Sequence, residues 1–233
     1  RFGYPPQEPD VSYGRLETDL RYFSRPTPGQ ANNGDFLGFV GPVTASRKHG
    51  FFTQAFEVRL SCQTPNAKIR YTTDGSNPTE ANGADYNPAS LITIDKTTVL
   101  RAAAFKIGYQ PSRTETNTYL FLDDVILQSP DGAKPTETWP DPFHSGGGQW
   151  IDYGMDPKVV TDSRYAGQML DAMKAIPSIS ITTDLANLFD PDWGIYVHAW
   201  DDGRQWERPC SMELINPDKT EGFQVNAGLR IRG

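Results

Sequence analysis

No stretch of this 233-residue chain is apolar over the ~20 residues that a membrane-spanning helix needs. Cysteine is scarce. Cys62 and Cys210 stand far apart and in what read as different domains, so geometry rather than count decides any disulfide and none is the expected reading. Both are expected as small buried hydrophobes. Histidine is scarcer than a zinc site wants: His49, His144 and His198 show no ligand spacing with one another or with the cysteines. A basic excess is also missing. With 22 Lys and Arg against 29 Asp and Glu, the net charge is -7, which excludes a nucleic-acid backbone as partner.

What is present is punctuation. The 21 glycines and 19 prolines favour many short strands joined by turns over long helices. Residues 41–122 read as strand and turn throughout. Phe56, Val58 and Leu60 alternate, as do Ile69 and Tyr71, then Val99, Arg101, Ala103 and Phe105. Asp74-Gly75 supplies the positive φ of a tight reversal, and Asn77-Pro78 starts a second turn. Turn chemistry, rather than catalysis, accounts for the Asp74 carboxylate. This spacing of short strands predicts a small antiparallel sandwich.

On either side the signals change. Residues 1–40 are short of core: Leu16, Leu20, Tyr22 and Phe23 precede a turn-rich run, Ser24–Gly34, that reads as a linker. Residues 123–150 read as a second connector. Beyond it, Asp162 or Ser163 is expected to cap a helix with Ala166, Met169, Leu170 and Met173 as its apolar stripe, ended by Pro177. Ile179 and Ile181 restart alternation, and Asp184 is placed to cap a turn of helix holding Leu185, Leu188 and Phe189.

The end of the chain reads as successive strands, from Gly194–Val197 through Trp206–Pro209 to Gly222–Gly233. In the last of them Phe223, Val225, Ala227, Leu229 and Ile231 share one parity and build one apolar face. Such a face needs a cover, so the chain is expected to be a piece of a longer protein whose chemistry lies past Gly233.

Candidate chemistry is sparse. Asp184, Asp190, Asp192, Asp201, Asp202 and Glu207 gather acidic oxygens, and Asp190-Pro191-Asp192 resembles half of a calcium site. The calcium-loop spacing and its terminal bidentate Glu are absent, and Asp201-Asp202-Gly203 reads as a hairpin turn. Gly146–Gly148 lacks the Lys-Ser/Thr of a phosphate-binding loop, and no Gly-x-Ser-x-Gly elbow occurs. Trp139, Trp150, Trp193, Trp200 and Trp206 offer ring faces to sugars, though half-buried packing is the expected role. No catalytic, cofactor-binding or metal-ligating residue is assigned.

Three segments resemble known families. Tyr22-Phe23, Pro26–Gly29 and Asn32 resemble the exit of lamin-tail-type β-sandwich domains. Tyr71–Thr79, Tyr86-Asn87-Pro88 and Thr98–Ser112 resemble the chitobiase/β-hexosaminidase C-terminal-type domain. That resemblance implies an immunoglobulin-like, non-catalytic accessory module. Ile151–Pro157, Ile176–Ile181, Gly194–Tyr196, Trp206–Pro209 and Gly222–Gly233 resemble the opening of a CotH kinase-like domain.

The CotH resemblance implies an atypical Ser/Thr kinase as parent, using ATP and a divalent metal. Arg208, Arg230 and Arg232 are then the cations on hand for phosphate, with an ordinary surface or packing role expected for each. ATP and metal are expected only for the whole kinase-like domain, and none in this fragment.

Together these readings give a mostly-β chain: an immunoglobulin-like antiparallel β-sandwich over 41–122 plus a truncated α+β segment over 151–233. The expected partner is a protein substrate or a cell-surface polysaccharide, and the expected location is extracellular or at the cell surface. The alternative is a carbohydrate- or protein-binding module without enzymatic activity.

Overall fold

A computed structural model describes residues 5, 7–129 and 154–232. The connector from 130 to 150, His144, Gly146–Gly148, Trp139, Trp150 and Ile151–Tyr153 lie outside the described residues.

Before the sandwich, β1 (Ser12–Leu16) and β2 (Asp19–Phe23) form a hairpin that adds the two-residue β3 (Asp35–Phe36). This stretch is less poor in core than its composition predicts. Tyr22, Phe23 and Phe36 are buried, and Tyr22 stacks on Phe36 with ring centroids 5.5 Å apart. Phe39 meets Tyr22 edge-on at 4.9 Å, so aromatic pairing takes the place of an aliphatic core.

The sandwich has two layers. In one, β4 (Val43–Ala45) pairs with β7 (Leu60–Cys62), and β6 (Phe56–Val58) pairs with β10 (Ile92–Ile94). The other is a five-stranded sheet ordered β5 (Gly50–Phe51), β12 (Glu115–Leu120), β11 (Thr98–Phe105), β8 (Lys68–Thr72) and β9 (Ala84–Asp85). Pairing is antiparallel except at the β5–β12 edge, which is parallel. Val43, Ala45, Val58, Leu60, Ile92 and Ile94 from the first layer pack against Leu100, Ala102, Ala104, Tyr119 and Phe121 from the second. This is the antiparallel sandwich that the spacing of strands and turns predicts, and it has the immunoglobulin-like form that the chitobiase/β-hexosaminidase resemblance implies.

One detail of pattern is reversed. The set that alternates in the sequence of β11 is Val99, Arg101, Ala103 and Phe105, but the core takes the opposite parity, Leu100, Ala102 and Ala104. Both faces of β11 are covered, and Leu100 through Ala104 are all buried. Polarity alternation marks the core only when the other face meets water.

The cover on that outer face is a third sheet, ordered β13 (Ser178–Thr182), β14 (Arg208–Ile215) and β15 (Phe223–Leu229). Its register places Ile179, Ile181, Met212, Leu214, Phe223 and Val225 on one side and Ser180, Thr182, Ser211, Glu213, Gln224 and Asn226 on the other. The polar side lies against the sandwich. The apolar side points away from it: Ile179 is 62% exposed, Ile181 53% and Phe223 44%. Ile231, expected to continue this face, falls beyond the strand.

Short helices surround this sheet: α1 (Leu122–Val125), α2 (Pro157–Val160), α3 (Met169–Met173) and α4 (Leu185–Phe189). The single helix expected after Asp162 is broken into a 3-10 turn, Ala166–Gln168, followed by α3. Asp162 spends its carboxylate on the Arg164 backbone N–H and guanidinium, and Gly167 lowers helix propensity where the first turn would propagate. Met169, Leu170 and Met173 are half-buried and Ala166 is exposed.

Two expected turn and strand assignments are corrected. Gly194–Val197 forms turns rather than a strand, with the Gly194 N–H donating to Asp190 O at 2.8 Å and the His198 N–H to Gly194 O at 3.0 Å. Chain closure there demands glycine, because a Cβ would come within 2.6 Å of backbone atoms of Leu188 and Asp190. Asp201-Asp202-Gly203 turns no hairpin; it leads into a 3-10 turn, Arg204–Trp206, with Gly203 at φ 90°. The β14–β15 hairpin is closed instead by residues 216–222.

Candidate functional site

The most organised polar region is the seam between the sandwich and the third sheet. Glu213 is fully buried there. Its Oε1 accepts the Thr118 backbone N–H at 3.0 Å and lies 3.0 Å from His49 Nδ1, while the Thr118 hydroxyl donates to Oε2. The Thr118 hydroxyl also meets Ser180 Oγ at 2.8 Å, and the His49 backbone N–H donates to Asn117 Oδ1 at 3.2 Å. A buried carboxylate is costly unless its lone pairs are answered, and here donors from β12 and from the loop before β5 answer it.

A second contact ties the same layers. Asp184 stands at the N-cap of α4, as its position predicts, but its side chain does not cap the helix. It reaches the sandwich, accepting the Asn77 N–H at 2.6 Å and lying 3.5 Å from Arg101 Nη1. Arg101 is buried and also donates to Gly75 O at 3.1 Å. Burial pushes its guanidinium below the ordinary range, with Asp184 opposing that shift. Asn226 adds a third tie, donating from Nδ2 to Thr114 O at 3.0 Å.

The remaining acids serve local structure. Asp190 Oδ1 accepts the Asp192 and Trp193 N–H groups. Asp201 pairs with His198 at 3.3 Å, and Glu207 with Arg230 at 3.6 Å. Asp192 and Asp202 are exposed, and among the described residues no three His, Cys, Asp or Glu side chains converge on a metal position. Asp74 holds its turn by accepting from the Ser76 hydroxyl and N–H, which keep its carboxyl below the usual carboxylate range.

Arg208 is fully engaged. Nε and Nη2 donate to Trp193 O at 2.9 and 2.6 Å, and Nη1 donates to Gln205 O at 2.8 Å. Its guanidinium sits 5.6 Å from the Trp193 ring centroid and 5.3 Å from that of Trp206, and His198 stacks on Trp206 at 4.7 Å. This cluster staples residues 190–208 together and leaves Arg208 no free donor fork for phosphate. Arg232 is exposed, as is Trp200. Both thiols are free; Cys62 is half-buried, and burial pushes the Cys210 thiol up.

Glu213, Thr118, Asn77 and Arg101 were not singled out as site residues from the sequence. The available signal was a lone carboxylate at the inward parity of a strand, Ser211-Met212-Glu213-Leu214-Ile215, which reads as solvent-facing until the opposing sheet is known.

Residues 47–116 match the family model of the chitobiase/beta-hexosaminidase C-terminal domain. The match lies within the strand-and-turn region and ends inside β12, so the third sheet is not covered by it. No curated protein and no solved structure matches the chain. The CotH kinase-like resemblance therefore rests on its sequence segments alone. Among the described residues no helix is long and apolar enough to cross a membrane.

Proposed function

We propose that the chitobiase-type sandwich is a non-catalytic, carbohydrate-associated accessory module of an extracellular or cell-surface protein, and that it holds the α+β segment after residue 151 in a set orientation. The observation that carries this is the match of residues 47–116, which supply most of a two-layer sandwich whose outer face is bonded to the third sheet. The seam supports the mounting role because buried, directional polar contacts specify one docking geometry where apolar contacts alone would allow several. Retention of the whole chain on an immobilised polysaccharide panel tests the carbohydrate reading. The expected result is binding to at least one glycan, and retention by none of them sinks it.

A second reading concerns the parent. The segments that resemble a CotH kinase-like domain, together with a third sheet whose apolar side faces outward, support an α+β segment that is the scaffold of an ATP-dependent protein kinase. Phosphoryl transfer needs cations on the phosphates and acidic metal ligands. Within this chain Arg208 is committed to backbone carbonyls and Arg230 to Glu207. The chain alone, given ATP with magnesium or manganese, is expected to transfer no phosphate, and incorporation of labelled phosphate into the chain or an added protein would refute that.

A further inference from the structure

A cleft of about 580 Å³ opens on the side of the sandwich away from the third-sheet seam, between β7 of one layer and β8 and β9 of the other. Its volume falls in the ~300–1,000 Å³ range of small-ligand sites. Leu60, Ala67, Ile69 and Pro88 supply apolar wall, and Tyr86 adds a ring whose backbone N–H is tied to Ile69 O at 2.9 Å. Ser61 and Asp85 bring a hydroxyl and a carboxylate to the same walls.

The charge at the rim is the telling feature. Arg59 and Lys68 both line the cleft and both are exposed, and among the described residues neither side chain has a hydrogen bond or ion pair. Asp85, the one acid in the lining, is partly answered from outside by Arg70 Nε at 3.5 Å. The cleft therefore presents two exposed cations on a chain whose net charge is -7. Flexible Arg and Lys side chains beside apolar wall suit a ligand with an anionic group and a ring face. Two cations are too few for a phosphate backbone, whose binding rests on neutralising many charges in a row.

We infer that this cleft binds a carboxylated sugar, a uronic-acid residue of an acidic polysaccharide. The carboxylate lies between Arg59 and Lys68, one ring face lies against Tyr86 and Ile69, and ring hydroxyls reach Ser61 and Asp85. This rests on the carbohydrate reading of the sandwich and adds to it the ligand class and the residues.

The test uses the whole chain with a galacturonate tetramer and its methyl-esterified, neutral counterpart, measured by titration calorimetry. The acidic tetramer is expected to bind about tenfold more tightly than the neutral one, since a charge-assisted contact is worth roughly that factor. An Arg59→Ala/Lys68→Ala double variant is expected to lose about tenfold for the acidic tetramer alone. Its melting temperature should stay unchanged, because both side chains are exposed. Alkylation of Cys62, which lines the cleft, should slow when the acidic tetramer is present.

Equal binding of the acidic tetramer by wild type and double variant would overturn the assignment. So would equal affinity for dextran sulfate, which would mark a generic anion surface. If neutral glycans bind the wild type and the acidic tetramer binds no more tightly than they do, the cleft assignment fails and the carbohydrate reading stands. If no oligosaccharide binds at all, that reading falls and takes the inference with it.

Discussion

Glu213→Ala is expected to destabilise the chain by about 3 kcal/mol, because truncation leaves the buried Thr118 N–H and the His49 ring without their acceptor. At this chain size that corresponds to a fall in melting temperature of about 6–12 °C. The loss should be uneven. The sandwich core of Val58, Ile94, Leu100 and Tyr119 is untouched, so the third sheet should become protease-sensitive while residues 41–122 persist. Glu213→Gln keeps the shape and a carbonyl oxygen for the Thr118 N–H, and should cost about 1 kcal/mol. The check is thermal unfolding with limited proteolysis of both variants. Melting of Glu213→Ala within 2 °C of the wild type (~1 kcal/mol or less) would show that the carboxylate does not hold the layers together.

Gly222→Ala is expected to cost a similar amount, about 3 kcal/mol, for a different reason. The backbone at Gly222 crosses so close to the Leu214 carbonyl oxygen that a Cβ would overlap it, and His49 Nε2 lies 3.2 Å from the same position. The obstacle is backbone, which no rotamer change relieves. To admit a methyl group the hairpin must open at its Leu214–Phe223 pair, the last rung of the β14–β15 register. That rung sits one residue from Glu213, so the substitution should also loosen the His49 contact. Amide exchange of β14 and β15 tests this. Faster exchange in both strands with β8 and β11 unchanged is the expected result, and unchanged protection at Leu214 and Phe223 would count decisively against it.

Both effects arise at a place that local reading undervalued. The sandwich itself was legible because its signals are local. Asp74-Gly75 and Asn77-Pro78 are turn chemistry, and Phe56, Val58 and Leu60 carry the apolar positions of short strands. The strands at Ser178–Thr182 and Phe223–Leu229 were visible in the same way, since Ile179, Ile181, Phe223 and Val225 alternate with polar residues. The aromatic cluster at Trp193, Trp206 and Arg208 belongs on the packing side that its composition suggested.

What failed to follow from sequence failed for identifiable reasons. Gly194–Val197 has strand-like residues, but Gly194 is claimed by a close turn onto the end of α4. In β11 alternation does not mark the core, because a strand covered on both faces loses the polarity contrast that would show it.

The turns, most of the strands and the net acidity are properties of neighbouring residues, and they can be read along the chain without a fold. Which faces meet depends instead on long-range packing, and the fold shows the outcome. It turned the Ser, Thr and Glu side of the third sheet toward the sandwich and the Ile, Phe and Val side away from it. It also brought His49 to Glu213 and Asn77 to Asp184 across 164 and 107 residues of chain. Alternation records that a strand has two unlike faces, and it is the same whichever face is covered. The choice belongs to the hydrogen-bond partners that the opposite sheet supplies.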